Sequence, residues 1–373
     1  MINYATLGSL ITPAKVIRCG NDSFPVLSMT MHNGIVMQSE RFKKKLASAD
    51  QSDYKVVKRG QLVVGFPIDE GVLYVQKAAD EGIMSPAYNV WDIDSKVIDP
   101  DFLELCLHSP QSMQYYKNKL RGTTARRRSI PVSDLEALKI RLPDMQTQHE
   151  IVAIIKKAEA IIVDRQEQLD YFEQLVKSRF IELFGEPLSN QKGWQTMSIV
   201  EAAPIKSQRG NLADEVWLLN LDAVEAQTGT VLFKHRVQSG EINASTVYFT
   251  AESVLYSKLR PYLNKVVMPD EDGVATSEMI PMCPLADRLN RAYLCYWLRS
   301  DAFVRHISEK VAGAKMPRVS MDYFRSLAIE MPPLELQEQF AAFVEQTDKS
   351  KYCSQKFEEL CRELIKIYEQ EWM

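Results

Sequence analysis

The chain has 373 residues, 46% of them hydrophobic and 25% charged, and its formal net charge is −4. This size and apolar content predict two or three domains with cores of their own, and the near-neutral total gives no overall indication of a basic DNA-binding domain. The sequence has no leader-like N-terminus, no run of 18 apolar residues and no CxxC pair among its six cysteines. We therefore expect a soluble, cytoplasmic protein with reduced thiols.

The first part of the chain, up to about residue 143, contains short apolar runs that are punctuated by glycines and charges. This pattern is typical of strands separated by turns. Residues 101–119 have a more helical pattern, which Pro110 interrupts. The sequence thus predicts a mixed α/β domain over residues 1–145.

A long helix is predicted from Pro143 to Phe184, because apolar residues recur there on a heptad grid and neither glycine nor proline intervenes before Gly185. At a rise of 1.5 Å per residue this helix would be roughly 55 to 60 Å long. It is too charged to cross a membrane. The residues predicted to pack it or to dock a partner are Ile151, Ile154, Ile161, Phe172 and Leu175.

The second half of the chain repeats the first. After a linker over residues 185–194 that is rich in Gly, Pro, Ser and Asn, we expect a second α/β domain over 195–333 and a second long helix over 334–373. The positions of Pro332 and Gln337 minus those of Pro143 and Gln148 both give 189, which indicates a duplicated unit. The packing residues predicted on the second helix are Phe340, Phe343, Phe357 and Leu364.

Helices of this length need partners of matching length to cover their apolar stripes. We expect residues 146–184 and 334–373 to run antiparallel within a pseudo-twofold α+β fold, in which two repeated α/β domains are separated by the two helices. The alternative is that each helix packs on its own domain or on another copy of the protein. A separation of about 50 Å between the domains would correspond to about 15 base pairs of B-DNA.

Each predicted domain ends in a loop that carries cations, which are Arg126, Arg127 and Arg128 in the first copy and Lys315 and Arg318 in the second. Charge runs are usually solvated, but cations kept in both copies favour contact with phosphates or base edges, since Arg presents a bidentate fork to either. Other basic segments supply further candidates. These are Lys43, Lys44, Lys45, Lys58 and Arg59 in the first domain and Lys206, Arg209, Lys234, Arg236, Lys258 and Arg260 in the second; Tyr88 and Tyr262 are candidates for contact with a sugar or base, with core packing as the alternative.

Motifs of common catalytic sites are absent from the sequence. It contains no GxxxxGK phosphate loop, no GxGxxG, no HExxH, no GxSxG and no [DN]PP[YF] tetrapeptide of adenine methyltransferases. The five histidines are scattered without the spacing of metal ligands. We therefore predict a protein without catalytic or metal-binding residues, and an enzyme with an unrecognised site is the alternative.

The duplicated pattern of a strand, a Gln-containing helix start and a long helix resembles the specificity subunits of type I restriction-modification enzymes. The resemblance covers nearly the whole chain and is carried by LKIRLPDMQTQHEIV in the first copy and LAIEMPPLELQEQFAAFV in the second. The second copy matches the family's P-P-L-x-x-Q pattern, whereas the first has Asp144 and Met145 in place of Pro-Leu. The family varies most in its globular domains, so no base-reading residue is carried over.

This resemblance implies a non-catalytic DNA-recognition subunit. Each globular domain would read one half of a bipartite, asymmetric target, and the helices would set the spacer and dock two methyltransferase subunits, which motor-nuclease subunits join. No cofactor is expected in this chain, because S-adenosylmethionine, ATP and Mg²⁺ would belong to the partner subunits. A coiled-coil interaction scaffold without DNA contact is the competing function.

Overall fold

A computed structural model describes residues 3–31, 33–41, 51–120, 128–207, 214–242, 245–312 and 315–373 of the chain. The chain forms two compact units, of which unit 1 comprises residues 1–165 and 356–373 and unit 2 comprises residues 166–355. The boundary between the units lies inside both long helices. The sequence predicts different limits, in which each long helix is a segment separate from the α/β domains. Those limits stay a prediction.

Unit 1 is a mixed α/β domain with short strands. Its strands are β1 (Tyr4–Thr6), β2 (Ile11–Pro13), β3 (Leu27–Met29), β4 (Ile35–Met37), β5 (Lys55–Lys58), β6 (Leu62–Val64), β7 (Leu73–Val75), β8 (Glu81–Met84), β9 (Asn89–Ile93) and β10 (Lys139–Arg141). Its helices are α1 (Gln38–Arg41), α2 (Pro100–His108), α3 (Pro110–Lys119), α4 (Val132–Glu136) and the first part of α5 (Met145–Phe184). The central sheet has the order β2-β9-β6-β7, and β1 pairs with β10.

The break between α2 and α3 has a local cause. Ser109 ends α2 with an extended backbone, and its hydroxyl accepts a hydrogen bond from the Ser112 amide of α3. Pro110 occupies the first turn of α3, where a missing amide hydrogen costs nothing. The interruption that the sequence predicts near Pro110 is therefore confirmed, and it separates two capped helices.

Unit 2 has the same general composition. Its strands are β11 (Gln195–Ser198), β12 (Glu215–Leu219), β13 (His235–Gln238), β14 (Val247–Phe249), β15 (Val254–Ser257), β16 (Val266–Val267), β17 (Gly273–Ala275), β18 (Met279–Met282), β19 (Val311–Ala312), β20 (Arg318–Val319) and β21 (Ala328–Met331). Its helices are α6 (Ile199–Ala202), α7 (Arg291–Arg299), α8 (Asp301–Ser308), α9 (Met321–Ser326) and part of α10 (Leu334–Trp372).

The duplication seen in the sequence is also present in the connectivity. The pair β11–β21 corresponds to β1–β10, and the sheet β16-β15-β18, extended by a bridge between Ile205 and Met282, corresponds to β7-β6-β9-β2. The remaining strands follow the same order in both copies and differ in extent. Unit 2 builds a four-stranded sheet, β13-β12-β17-β14, in which β12 and β17 are parallel. Unit 1 has the antiparallel pairs β3–β4 and β5–β8, which a single parallel bridge between Val26 and Ile83 links. The second sheet is thus continuous in unit 2 and shorter in unit 1.

The two predicted long helices are confirmed as α5, with 40 residues, and α10, with 39 residues. In unit 1, Ala158 and Ile162 of α5 pack against Cys361 of α10. In unit 2, Phe180 of α5 packs edge-on against Phe340 of α10, with ring centroids 5.3 Å apart. Also within unit 2, Glu173 of α5 pairs with Lys351 of α10. Because the higher number on α5 meets the lower number on α10 within this unit, the helices run antiparallel. None of the described helices is both long and apolar enough to cross a membrane.

The helices also pack on the α/β domain of each unit. Packing of a helix on its domain, which was the alternative to helix pairing, therefore occurs together with helix pairing. Ile151 and Ile155 lie in the core of unit 1 with Phe102, and Phe184 lies in the core of unit 2 with Trp297. The predicted fold class, with two α/β repeats and two long antiparallel helices, is confirmed.

The contact line between α5 and α10, here called the seam, differs from the predicted heptad grid by one residue. One predicted row is right, because Ile151, Ala158 and Phe340 are buried. In the other row the buried residues are Ile155, Ile162 and Val344, each one position after the residue that the grid predicts. Ile154, Ile161, Phe172 and Phe343 are only partly buried, and Leu175, Phe357 and Leu364 are exposed.

The physical reason for this correction is the helical period. Residues three and four positions after a buried residue lie on opposite flanks of it, and both flanks of these helices carry apolar side chains. In unit 1 the domain covers the flank of Ile155, which joins the core with Leu103. Tertiary packing therefore selects between two flanks that the sequence pattern leaves equivalent.

The glutamine near the start of each long helix is fully buried and ties the helix to its domain. In unit 1, the Gln148 Oε1 accepts a hydrogen bond from the Asp99 amide (2.8 Å), and its Nε2 donates to the carbonyls of Val97 (3.2 Å) and Pro143 (2.9 Å). Asp99 in turn caps α2. The amide of this side chain thus joins three backbone segments.

Gln337 makes the corresponding bonds in unit 2. Its Oε1 accepts from the Asn290 amide (2.8 Å), and its Nε2 donates to the carbonyls of Arg288 (3.1 Å) and Pro332 (2.8 Å). Asn290 caps α7 as Asp99 caps α2. The glutamine shared by both signature segments therefore has a structural role in each unit.

Candidate nucleic-acid interface

The structure covers part of the predicted DNA-contacting set. Lys43, Lys44, Lys45, Arg126, Arg127 and Arg209 lie outside the described residues. Lys58, Arg59, Arg128, Lys206, Lys234, Arg236, Lys258, Arg260, Lys315 and Arg318 are described. Their surroundings divide them into cations that carboxylates already neutralise and cations that lack such a partner.

The described candidate cations of unit 1, Lys58, Arg59 and Arg128, are ion-paired. Arg128 contacts the carboxylates of Asp69 (2.8 Å) and Glu70, and its carbonyl accepts a hydrogen bond from the Ile68 amide (3.1 Å). The hydrogen bond to Asp69 raises the pKa of Arg128. Lys58 pairs with Glu81 at 3.6 Å and Arg59 with Asp80 at 2.9 Å. Any contact of these cations with phosphate would have to replace an existing ion pair.

The basic run around β13 in unit 2 is paired as well. Lys234 lies 2.7 Å from a carboxylate oxygen of Asp270 and 3.0 Å from one of Glu271, and Arg236 lies 2.7 Å from Glu271. The Lys234 ammonium also sits 4.8 Å from the centre of the Trp217 ring. These contacts hold Lys234 and Arg236 on the sheet, which lowers their availability to an external anion.

Two basic segments that are far apart in the sequence meet in unit 2. The Arg260 amide donates to the Pro317 carbonyl (2.8 Å), and the Val319 amide donates to the Lys258 carbonyl (3.0 Å). A β-bridge joins Leu259 to Arg318. These bonds place the segment of Lys258 and Arg260 beside the segment of Lys315 and Arg318, and these four cations are here called the basic patch.

Glu278 fixes one cation of the basic patch. The Arg318 Nε lies 3.1 Å from both carboxylate oxygens of Glu278, and its Nη2 lies 2.9 Å from Oε1. The Lys258 amide donates to the Glu278 carbonyl at 3.0 Å. Hydrogen bonding to Glu278 raises the pKa of Arg318. This bidentate pair holds the guanidinium in one orientation, with Nη1 left for another acceptor.

The remaining cations of the basic patch are less constrained. Arg260 and Lys315 are exposed and Lys258 is partly buried, and among the described residues none of the three has a carboxylate within ion-pair distance. Lys206 is also exposed and lies next to the bridge between Ile205 and Met282. Unpaired cations in adjacent segments are suited to binding phosphate groups.

The two candidate tyrosines have different surroundings. Tyr88 is partly buried, lies edge-on to Phe66 at 5.4 Å, and has a pKa that burial raises. Tyr262 is 47% exposed at the border of the basic patch. Core packing is therefore right for Tyr88 and wrong for Tyr262.

Sequence reasoning missed the residues that position the basic patch. Glu278 was not a candidate because acidic residues do not attract phosphate, and Asn264 and Gln227 were not candidates because their roles depend on backbone conformation. The offset of about 190 residues between the two copies could have pointed to these residues, because it aligns the segment around Pro261 with the segment around Pro67. The Pro67 segment contacts the loop after α3, and the Pro261 segment contacts the loop after α8.

Within the described parts of the chain, no group of three His, Cys, Asp or Glu side chains is arranged to hold a metal ion.

A family model described as "Type I restriction modification DNA specificity domain" matches residues 192–360. Residues 192–360, here called the specificity domain, therefore resemble a type I restriction-modification DNA specificity domain. The specificity domain contains the whole basic patch as well as Gln337, whose segment carries the resemblance in the sequence. The resemblance to type I specificity subunits is thereby confirmed, and the scaffold alternative is not favoured.

The chain is also similar in sequence to known specificity subunits. The EcoDI specificity subunit of Escherichia coli is 24% identical over 156 residues, which are 41% of this chain and 34% of that protein. The MjaVIII specificity subunit of Methanocaldococcus jannaschii is 21% identical over 364 residues, 87% of this chain and 79% of that protein. The match thus spans about a third of the first relative and most of the second.

The likeness extends to the fold of the whole chain. The structure of the type I restriction-modification S subunit from M. genitalium superimposes with a TM-score of 0.59 at 13% sequence identity, covering 100% of this chain and 96% of that one. At this identity the comparison concerns the fold alone. The chain therefore shares the specificity-subunit fold beyond the matched specificity domain.

Proposed function

We propose that the chain is the non-catalytic DNA-recognition subunit of a type I restriction-modification complex, in which each α/β domain reads one half of a bipartite, asymmetric target. The observation that carries this proposal is the basic patch inside the specificity domain. There, the segments around Leu259 and Arg318 meet and bring their cations together, and Glu278 orients the Arg318 guanidinium. Phosphate contacts would position the duplex, and contacts with base edges would select the sequence.

The different charges on the two units support two different half-sites. The frame of paired strands and the glutamine contacts is repeated, whereas the candidate cations Lys58, Arg59 and Arg128 of unit 1 are ion-paired and Arg260 and Lys315 of unit 2 have no such partner among the described residues. A repeated frame can present two surfaces in the same way while the surfaces themselves differ. This is what recognition of an asymmetric target requires.

We further propose that the exposed flanks of the long helices dock methyltransferase subunits, which motor-nuclease subunits join in the cytoplasm. Phe357, Leu360, Leu364 and Ile367 follow one another at helical spacing on α10, and each is between 38% and 53% exposed. On α5, Leu175 is 50% exposed. Apolar rows of this kind need a partner to cover them. S-adenosylmethionine, ATP and Mg²⁺ would then act in the partner subunits.

An exchange of residues 1–145 for the matching segment of a relative with another target tests the proposal. When the chimera is expressed with its methyltransferase subunit, long-read mapping of methylated adenines is expected to find one half of the target changed and the other half and the spacer retained. The exchange of residues 195–333 is the matched control, and it should change the other half. A target that stays the same in both chimeras would contradict the proposal.

A further inference from the structure

A short turn at the border of the basic patch has unusual backbone geometry. It consists of Pro261–Leu263, flanked by Arg260 (φ 50°, ψ 63°) and Asn264 (φ 50°, ψ 49°), both in the left-handed region. Gln227, which contacts the same turn, has φ 70°. Among the described residues these are three of five non-glycine residues with positive φ. Such conformations each cost on the order of 1 kcal/mol and persist where surrounding contacts enforce them.

Those contacts come from several sides of the turn. The Arg260 amide donates to the Pro317 carbonyl (2.8 Å), and the buried Asn264 side chain donates to the Arg299 carbonyl (3.0 Å). Gln227 makes two bonds, since its amide donates to the Leu263 carbonyl (2.9 Å) and its Nε2 donates to the Tyr262 carbonyl (3.0 Å). The backbone of the turn is thus fixed at both ends and in the middle.

The side chain at the centre of this turn is exposed. Tyr262 is 47% exposed, and within the described residues neither its ring nor its hydroxyl has a partner. Met316, which follows Lys315 in the other segment of the basic patch, is 48% exposed. An exposed aromatic ring on a strained turn, two residues after Arg260, is therefore available to whatever binds the basic patch.

We propose that Tyr262 stacks on a nucleobase of the bound target, either a base that leaves the helix stack or one at a partly opened base step. This inference rests on the proposed DNA-recognition function and names the contact that Tyr262 makes within it. Bases have flat, apolar faces that a tyrosine ring covers, and the flanking cations are placed to hold the phosphates on either side. Because the turn is already ordered, binding orders only the side chain.

Neighbouring charges favour a nucleic acid over a protein as the occupant. A protein surface that covers an exposed tyrosine and methionine is usually apolar at its centre. Here Tyr262 follows Lys258 and Arg260 in one segment and Met316 follows Lys315 in the other, and the carboxylate of Glu278 is engaged by Arg318. Apolar groups in segments that carry cations match a base next to its phosphates.

The test measures DNA affinity of the complex with the methyltransferase subunit, using a duplex that carries the mapped target and a series in which one base at a time is replaced by an abasic site. We expect Tyr262→Ala to weaken binding to the intact target about 5- to 150-fold, the range for loss of one stacked base. Tyr262→Phe should bind within about twofold of the wild type, because the ring makes the contact. Tyr4→Ala, which removes another exposed tyrosine, should have no effect.

The abasic series distinguishes stacking from general support of the turn. At one position of the half-site, the abasic site should weaken binding of the wild type and leave the affinity of Tyr262→Ala unchanged, since both changes remove the same contact. The inference is overturned if no position shows this coupling, or if Tyr262→Ala keeps wild-type DNA affinity or loses only its affinity for the methyltransferase subunit. A wild-type complex that does not prefer the mapped target over other DNA would instead overturn the proposed function itself.

Discussion

Replacement of Gln337 or Gln148 by alanine is expected to lower the free energy of unfolding by roughly 3 kcal/mol, because each change leaves three backbone groups in partly buried surroundings without partners, at about 1 kcal/mol apiece. Each glutamine is fully buried and makes three hydrogen bonds of 2.8 to 3.2 Å. Urea unfolding followed by circular dichroism measures the difference. Gln337→Glu should also destabilise, since a carboxylate cannot donate to the Arg288 and Pro332 carbonyls.

Matched controls lie two residues away on the same helices. Gln339 and Gln146 are exposed, so their replacement by alanine should change the free energy of unfolding by less than about 0.5 kcal/mol. If Gln337→Ala and Gln339→Ala unfold at the same urea concentration, the buried amide does not hold the helix to its domain. The comparison separates the hydrogen bonds from helix propensity, because both pairs make the same substitution in the first turns of a helix.

Removal of the three unpaired cations of the basic patch, in Lys258→Ala/Arg260→Ala/Lys315→Ala, is expected to reduce the salt dependence of DNA binding. Each phosphate contact contributes about 0.9 to the slope of log affinity against log salt, so the slope should become shallower by about 2 to 3. Titrations of the complex with the methyltransferase subunit from 50 to 200 mM salt measure it. Target and non-target duplexes should lose affinity to a similar extent where the contacts are to phosphate.

The control for this experiment removes the same charge elsewhere. Lys15, Lys96 and Lys117 are exposed residues of unit 1 that belong to no predicted contact, and their joint replacement by alanine should leave the salt slope within about 0.5 of the wild type. Equal slopes for the patch variant and the wild type would remove the basic patch from the interface. A large loss in the control variant would point to a general effect of net charge.

Local sequence patterns were sufficient to predict the long helices and the duplication. An uninterrupted heptad pattern is compatible with few structures other than a long helix. The offset of 189 residues between Gln148 and Gln337 is read directly from the sequence. The contacts of those glutamines were not predictable in the same way. Their partners at Asp99 and Asn290 lie 49 and 47 residues earlier in the chain, and no local pattern reports such a pairing.

The candidate interface shows a similar division. Basic runs are visible in the sequence, and the contact of the loop before each long helix with DNA stays a prediction. The sequence does not show that Lys234 and Arg236 are neutralised by Asp270 and Glu271, because ion pairs across a sheet depend on strand register. Nor does it show which tyrosine is exposed, since Tyr88 and Tyr262 occur in similarly turn-rich segments.

By itself the sequence determined that this protein has two related halves, two long amphipathic helices and several basic loops, since composition and periodicity are local properties of the chain. Only the tertiary structure decided which flank of each helix is buried, which cations remain unpaired and which aromatic ring faces solvent. Each of these depends on segments brought together from distant positions, as Arg260 and Pro317 are at the basic patch. Burial and pairing are properties of such contacts, so they follow from the fold.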